Sequence, residues 1–429
     1  MALTTPIEVI NERPTCCTFT SGRMFYGMKN SVYFSQVNEN ETSDFINRCY
    51  QKNDPTAEQL SDLLDTDGGT IQIDNAVEII QLESIKNGVV VYAKNGVWWI
   101  SGPDTGFTAT NHFVERVSDT GVLSAQGVVV VGNTHYYWSN EGIYSLDINA
   151  NGDVEETNII EGSLQTFFNK IPLNSRKRVN GVYDRINKQV EWFYTSVDQA
   201  NTDDYKFAYD LSLVLDLRTG GMWPQSYIGA KNEAESSSQP FMLLGGVGTK
   251  LATTTEEVNY LVMALGVLGA SQTYSIHFSN KNNTEFKDYG TTYTTAYIET
   301  GYEALDKPSN KKSAPYITTH FKQTEENFIS DGAGGVKLDK QSGCQLRAKW
   351  DWANSSANGR WSPNQQAYRF RRIFVPSGVG VFDSGNDVIT TKNKVLGSGK
   401  ALSLRLEQEA NKDFQLLGYT ISWSIKGKI

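Results

Sequence analysis

Residues 88–102 read GVVVYAKNGVWWISG, and residues 127–147 read GVVVVGNTHYYWSNEGIYSLD. Each stretch joins a valine run to aromatic residues through a short polar turn. Each also carries a glycine-led run: Gly96-Val97-Trp98-Trp99-Ile100 in the first and Gly142-Ile143-Tyr144-Ser145-Leu146 in the second. β-Branched and ring side chains pack well on a pleated surface, while Asn and Gly accept the tight turns between strands. The spacing of the two glycine-led runs is close to the roughly 40–50 residues of a four-stranded propeller blade. An all-β chain is therefore expected: a β-propeller with irregular blades, a second β-rich, sandwich-like unit, and one or two short helices.

Outward from this repeat the same texture continues. Cys17-Thr18-Phe19, Met24-Phe25-Tyr26 and Val32-Tyr33-Phe34 alternate with turn residues and predict short strands. After the turn at Asn53-Asp54-Pro55, Thr56 and Gln59 form a capping-box pattern, and Leu60, Leu63 and Leu64 give one apolar face, so a helix of about ten residues is expected there. It ends at Asp67-Gly68-Gly69, and strand character resumes at Thr70. A second short helix is expected over Leu164–Ile171, capped by Ser163 and stopped by Pro172. VNGVYDRINKQVEWFYTS turns at Asn187-Lys188 between two strands, and LSLVLDLRTGGMWPQSY turns at Gly220-Gly221. Blade-like units extend to about residue 270. Beyond them Tyr, Thr and Lys become frequent, DGAGG (331–335) and NSSANG (354–359) read as loops, and the chain ends on two long alternating strands with a polar turn at Asn411-Lys412. The expected organisation is a propeller-like domain over 1–285 and a β-rich C-terminal unit over 286–429, which closes the propeller or forms a tip.

Composition narrows the function. A chain of 429 residues can bury an extensive core. Cys16, Cys17, Cys49 and Cys344 show neither a CxxC pair nor metal-ligand spacing, so reduced thiols and synthesis in a cytosol are expected. The opening MALTTPIEVINERP has no basic head followed by an apolar run, and no segment reaches the roughly 18 apolar residues of a membrane span. The formal net charge of −9 argues against a molecule that grips nucleic acid over its whole surface, and suits one past which a polyanion slides.

Catalytic constellations are hard to assemble. There is no G-x-S-x-G, and His112, His135, His277 and His320 stand singly, so structural roles are expected for them. HExxH and H-x-H are absent, which disfavours zinc. Asp65, Asp67, Glu155, Glu156, Asp203 and Asp204 sit in polar turns and read as solvated charge. Gly245-Gly246-Val247-Gly248-Thr249-Lys250 lacks the spacing and following helix of a phosphate loop. The one motif-like loop is Asp147, Asn149, Asn151 and Asp153 with Gly152, which matches the first half of a calcium loop. Its twelfth position is Asn158 where a bidentate Glu belongs, and an Asn-Gly hairpin turn explains the same residues. No cofactor is expected. Basic clusters at Arg176-Lys177-Arg178, Lys311-Lys312, Arg369-Arg371-Arg372 and Lys392-Lys394 are candidates for subunit or DNA-channel contacts.

Several segments taken together resemble one family. VYFSQ (32–36), CYQKNDPTAEQLSDLLDTDGGTIQI (49–73), VVVYAKNGVWWISG (89–102), YYWSNEGIYSL (136–146), RVNGVYDRINKQVEWFY (178–194) and GSGKALSLRLEQEANKDFQLLGYTISW (397–423) are similar to tail nozzle proteins of short-tailed double-stranded DNA bacteriophages, also called tail tubular protein B or tail stabilisation proteins. The resemblance implies a non-enzymatic virion protein at the tail. It would form a homohexameric ring that docks on portal-proximal adaptor proteins, meets tail fibres or a needle, retains the packaged genome and opens for DNA ejection. It transfers no catalytic residue. The alternative expectation is a β-propeller protein of a phage tail that binds or degrades glycans, with exposed Trp and Tyr stacking on sugar rings and two carboxylates cutting.

Overall fold

The computed structural model describes residues 13–37, 64–86, 88–103, 106–196, 209–226, 242–250, 259–267, 273–279, 295–306, 308–353, 361–370, 378–410 and 412–428. The chain separates into two compact units, Met1–Asn280 and Lys281–Ile429. The expected helix after Pro55 lies outside the described residues, apart from its end.

The first unit is a succession of antiparallel sheets, each built from strands consecutive in the chain. The first holds β1 (Cys16–Thr20), β2 (Arg23–Met28), β3 (Ser31–Phe34) and β4 (Gly69–Gln72). The second holds β5 (Ile79–Ile85), β6 (Gly88–Ala93), β7 (Gly96–Ser101) and β8 (Phe113–Ser118). The third holds β9 (Val128–Val131), β10 (Thr134–Trp138), β11 (Ile143–Ile148) and β12 (Val154–Asn158). The fourth holds β13 (Asn180–Asp184), β14 (Gln189–Tyr194), β15 (Leu211–Asp216) and β16 (Met222–Ser226). A fifth sheet has β17 (Met242–Lys250), β18 (Asn259–Val267) and β19 (Thr273–Ser279) as its described strands. Four strands meandering in sequence order form the blade topology of a β-propeller, and the fold is all-β and propeller-like.

The packing follows from the period of two along a strand, which sends successive side chains to opposite faces. All six residues of β6 are buried. Val89, Val91 and Ala93 join Phe25, Phe34 and Ile71 of the first sheet in one core. Val90 and Tyr92 turn the other way and pack with Tyr137, Tyr144 and Leu146 of the third sheet. Trp138 and Ile143 on the far side of that sheet meet Val190, Trp192 and Leu213 of the fourth. Each fully buried Val or Leu contributes roughly 1.5–3 kcal/mol, so strands buried on both faces, β6 above all, anchor the unit. At Gly181 a Cβ would lie 2.4 Å from a Val129 methyl and 2.9 Å from the Trp192 ring, so this glycine permits the third and fourth sheets to approach.

Between these two sheets lie α1 (Gln165–Phe168) and α2 (Leu173–Arg176), one turn each. The expected single helix is thus two. Ser163 does not cap the first, whose N-cap is Leu164 without a side-chain bond, and Pro172 starts the second as well as ending the first. Pro is suited to a helix start because its missing N–H has no intrahelical partner there.

In the second unit two sheets enclose one core. One sheet orders β20 (Tyr297–Glu299), β28 (Leu402–Gln408), β24 (Cys344–Trp350) and β25 (Gln365–Gln366). The other orders β27 (Val388–Lys394), β21 (Asn310–Lys322) and β29 (Gln415–Lys428). Ile317 and Phe321 from the latter meet Leu346, Ala348, Leu404 and Leu406 from the former, which is a sandwich-like arrangement. A small third sheet contains β22 (Asn327–Ser330), β23 (Val336–Leu338) and β26 (Gly380–Val381). The last two long strands are where the sequence pattern places them, but they lie in opposite sheets rather than pairing across Asn411-Lys412. Both carry an apolar face, and each satisfies it against the shared core from its own side.

Candidate functional site

The loop with calcium-like spacing joins β11 to β12 as a hairpin. The Asn149 Oδ1 accepts the amides of Asn151 and Asp153, each at 3.0 Å, and the Asn149 amide donates to the Asp153 carbonyl at 2.9 Å. Gly152 adopts φ +92°, a left-handed conformation that favours glycine. The Asn149 oxygen is thus engaged in holding the turn. Asp147 accepts the Thr134 hydroxyl and faces Glu155 across the ladder. Among the described residues no three His, Cys, Asp or Glu side chains gather as a metal site.

Arg176, expected as a DNA-channel or subunit contact, is instead buried inside the first unit. Its guanidinium donates to the carbonyls of Asn140 (2.7 Å), Ile171 (3.0 Å) and Phe168 (3.0 Å) and lies 4.7 Å from the Phe168 ring centroid. The reason is local. Helices of one turn leave their carbonyls without intrahelical partners, and a guanidinium supplies five donors. Burial lowers the Arg176 pKa below its ordinary value. Lys177 is exposed and Arg178 half-buried. Arg369 is exposed, lies outside any strand and donates to the Lys392 carbonyl at 3.1 Å. Arg371 and Arg372 are outside the described residues.

Arg23 is a strut of the same kind. It is buried in the first sheet, donates to the carbonyls of Ser35 (2.8 Å), Thr66 (3.3 Å), Asp65 and Asp67, and lies within 6 Å of the Phe34 and Phe107 rings. Burial brings its pKa down to about 10, against the opposing effect of Asp67 and Asp65.

Three of the histidines have described surroundings. His112 and His320 accept or donate single bonds near the surface. His135 is fully buried between the second and third sheets. Its Nδ1 is 2.8 Å from the Tyr92 hydroxyl and its Nε2 is 3.2 Å from the Ser84 carbonyl. A carbonyl only accepts, so Nε2 carries the proton and Nδ1 accepts from Tyr92, a neutral imidazole. Desolvation lowers its pKa from 6.5 to about 4, although the Ser84 carbonyl opposes the shift. Beside it Glu156 accepts bonds from the Tyr137 and Ser118 hydroxyls, and burial raises the Tyr92 and Tyr137 phenols far above their ordinary value. The network is closed on itself and lies inside the packing of two sheets. The Gly245–Lys250 stretch is interior to β17, opposite a register shift, and not a phosphate loop.

The second unit holds a constellation that the sequence reading did not assemble. On the outer face of the β20-β28-β24 sheet, Lys349 Nζ lies 2.6 Å from Glu299 Oε1 with only 4% of its side chain exposed. Arg405 bridges Glu299 (3.8 Å) and Glu407 (3.1 Å), and Arg347 reaches Glu407 at 3.4 Å. Aromatic rings interleave with these charges. Trp361 lies under Lys349 and Arg347 at 4.5 and 4.8 Å, and Tyr297 under Arg405 at 3.9 Å. The period-two charge pattern Arg347/Lys349 and Arg405/Glu407 is the signal that marks this face. Pairing across strands is what turns it into a ladder. At one end Tyr302 and Trp352 approach at 5.9 Å, and Trp352 is 60% exposed.

No protein-family model matches the chain, and no curated protein matches it. Among solved structures it is similar to the N-terminal domain of Nup159, at 14% identity and TM-score 0.34 over 61% of this chain and 59% of that one. It is similar to a Synechocystis apocarotenoid oxygenase variant at 8% identity and TM-score 0.27, covering 58% of this chain and 51% of that one. It is also similar to the AfRom2 CNH domain at 11% identity and TM-score 0.26, covering 64% of this chain and 96% of that one.

Proposed function

We propose that this chain is a structural virion protein: the nozzle of a short phage tail, in which a ring of copies retains packaged DNA and opens for its ejection. The observation that supports the reading is where the resembling segments fall. Within the described residues they coincide with strands of successive blades, namely β3 and β4, β6 with β7, β10 with β11, β13 with β14, and with the last two strands of the sandwich-like unit, while 49–63 lies outside the described residues. The likeness therefore resides in scaffold rather than in a catalytic centre, as it should for a protein whose work is mechanical. Portal-proximal tail proteins, and tail fibres or a needle, are the partners this reading assigns. Gating would come from packed elements with two arrangements and not from a chemical step. Electron microscopy of the purified protein and of virions tests it. A six-fold ring with an axial channel at the tail end is expected, and an isolated monomer that degrades host polysaccharide would overturn it.

A second reading is favoured by one specific feature. Asp351 and Trp352 both take left-handed backbone (φ +57° and +53°), which costs non-glycine residues on the order of 1 kcal/mol each. That turn displays the Trp352 ring beside Tyr302, whose hydroxyl is tied to the Ala353 carbonyl at 2.7 Å. An exposed Trp beside a half-buried Tyr suits the apolar face of a sugar. Glycan-array binding that is lost in Trp352→Ala would support this reading, and no binding would dismiss it.

A further inference from the structure

We infer that the outer face of the β27-β21-β29 sheet binds the phosphate backbone of nucleic acid without regard to base sequence. None of the residues in these three strands is Asp or Glu, in a chain whose net charge is −9. Lys311 and Lys322 on β21, Lys392 and Lys394 on β27, and Lys426 on β29 are all exposed. Among the described residues no carboxylate forms an ion pair with any of them. The nearest acidic residues in the chain, Asp306 and Glu325 around β21, Asp387 before β27 and Asp413 before β29, all lie beyond the strand ends. An unneutralised patch on an otherwise acidic chain sets up a local field that selects anions.

The face also has the shape and the secondary donors for a phosphate chain. Register aligns Lys394, Tyr316 and Ser422 in one row across the three strands and Lys392, Thr318 and Thr420 in the next, with Thr390 beside His320. Lysines two residues apart on a strand stand about 6.8 Å from each other, which equals two axial steps of one DNA strand at about 3.4 Å each. Ser and Thr hydroxyls between the lysines are the side chains that hydrogen-bond phosphate oxygens. Lys392 Nζ lies 4.1 Å from the Tyr316 ring centroid, which holds that ammonium on the face. A protein partner fits less well: Lys and Ser are depleted at protein interfaces, and among the described residues the exposed large apolar side chains of these strands, Tyr316, Val388, Leu417 and Ile425, include a single ring rather than an aromatic cluster. Lys312 takes no part. It is buried on the opposite side of β21, where it donates to the carbonyls of Ala304 and Lys400.

The proposal rests on the nozzle reading for its biological setting, but its test does not. The full-length protein is titrated by fluorescence anisotropy against a labelled 25-base-pair duplex of arbitrary sequence, a second sequence of equal length, and poly-glutamate. Five lysines predict a slope of log K against log salt near −4.5, so that binding weakens about 500-fold between 50 and 200 mM salt. The two duplexes should bind equally. The variant Lys322→Gln/Lys392→Gln/Lys394→Gln should lose about tenfold or more in affinity and flatten the slope by about 2 to 3. Because these side chains are exposed it should keep the wild-type melting temperature. The charge-matched control Lys86→Gln/Lys170→Gln/Lys188→Gln on the first unit should bind as the wild type does. Unchanged binding in the sheet variant, or an equal loss in the control, overturns the proposal. Poly-glutamate that binds more tightly than DNA overturns it in favour of an acidic protein partner. A chain that binds DNA through this face but forms no ring would sink the nozzle reading and leave this one standing.

Discussion

The sandwich-like unit has two outer faces over one core, and they treat charge in opposite ways. On the β20-β28-β24 side every cation named above has a carboxylate: Lys349 with Glu299, Arg405 with Glu299 and Glu407, Arg347 with Glu407. On the β27-β21-β29 side the exposed lysines have none among the described residues. The first face is self-neutralised, and its side chains are held in place by each other and by Trp361 and Tyr297. The second is left open. A face that neutralises itself contributes to the fold, whereas a face that does not is available to something outside the molecule. The first unit shows two further solutions for a buried basic group: Arg23 and Arg176 direct guanidinium N–H groups at backbone carbonyls, although the Arg23 Nε has no partner, and His135 stays neutral.

Breaking the paired face should have the largest effect. Glu299→Gln leaves Lys349 nearly buried and without its counter-charge, and removal of one member of such a pair costs about 4 kcal/mol. Urea unfolding should show this as a lower midpoint of the second unit's transition. Two units need not unfold together, so the transitions are to be followed separately. An unshifted midpoint would mean that Trp361 and Tyr302 hold the ammonium without help.

Next in size is the pH response of the neutral solution. The folded His135 value of about 4 lies below its ordinary 6.5. Between these values the unfolded chain takes up a proton that the folded chain refuses. The stabilisation is therefore complete above pH 6.5, falls by roughly 3 kcal/mol as pH drops to 4, and changes no further below that. Thermal unfolding between pH 7 and 4 should report this in the first unit, and His135→Gln should remove that part of the slope. The carbonyl solution comes third. Arg176→Lys keeps the charge but cannot span three carbonyls in a planar fork, so a loss of about 2 kcal/mol is expected in a denaturant titration, with DNA affinity per folded molecule unchanged. The smallest effect belongs to the open face: Lys392→Gln or Lys394→Gln should alter stability by less than about 0.5 kcal/mol. A larger loss would show that the lysines serve the fold and would erase the contrast between the faces.

Much of the fold could be read from local pattern. The runs around Gly96 and Gly142 became β6–β7 and β10–β11, because β-branched and aromatic residues between Asn-Gly turns have few alternatives. The functional surfaces were harder. Arg176-Lys177-Arg178 reads as one basic cluster, yet the first residue is buried, the second exposed and the third half-buried. Lys311-Lys312 reads as a pair, yet successive strand residues point to opposite faces, so one meets solvent and the other the interior. Lys322, which stands alone in the sequence, shares the open face with Lys392 and Lys394 only because β21 pairs with β27.

The sequence by itself determined the all-β class, the blade-like hairpins and the sandwich-like strands, because turn chemistry and period-two alternation act over a few neighbouring residues. Only the tertiary structure decided which charges are neutralised, because a lysine's partner is set by strand register and sheet order across tens of residues. Glu299 reaches Lys349 over such a distance, and among the described residues no carboxylate pairs with Lys392. Charge type is written locally. Whether that charge is spent on the fold or left for a partner depends on which strands lie side by side.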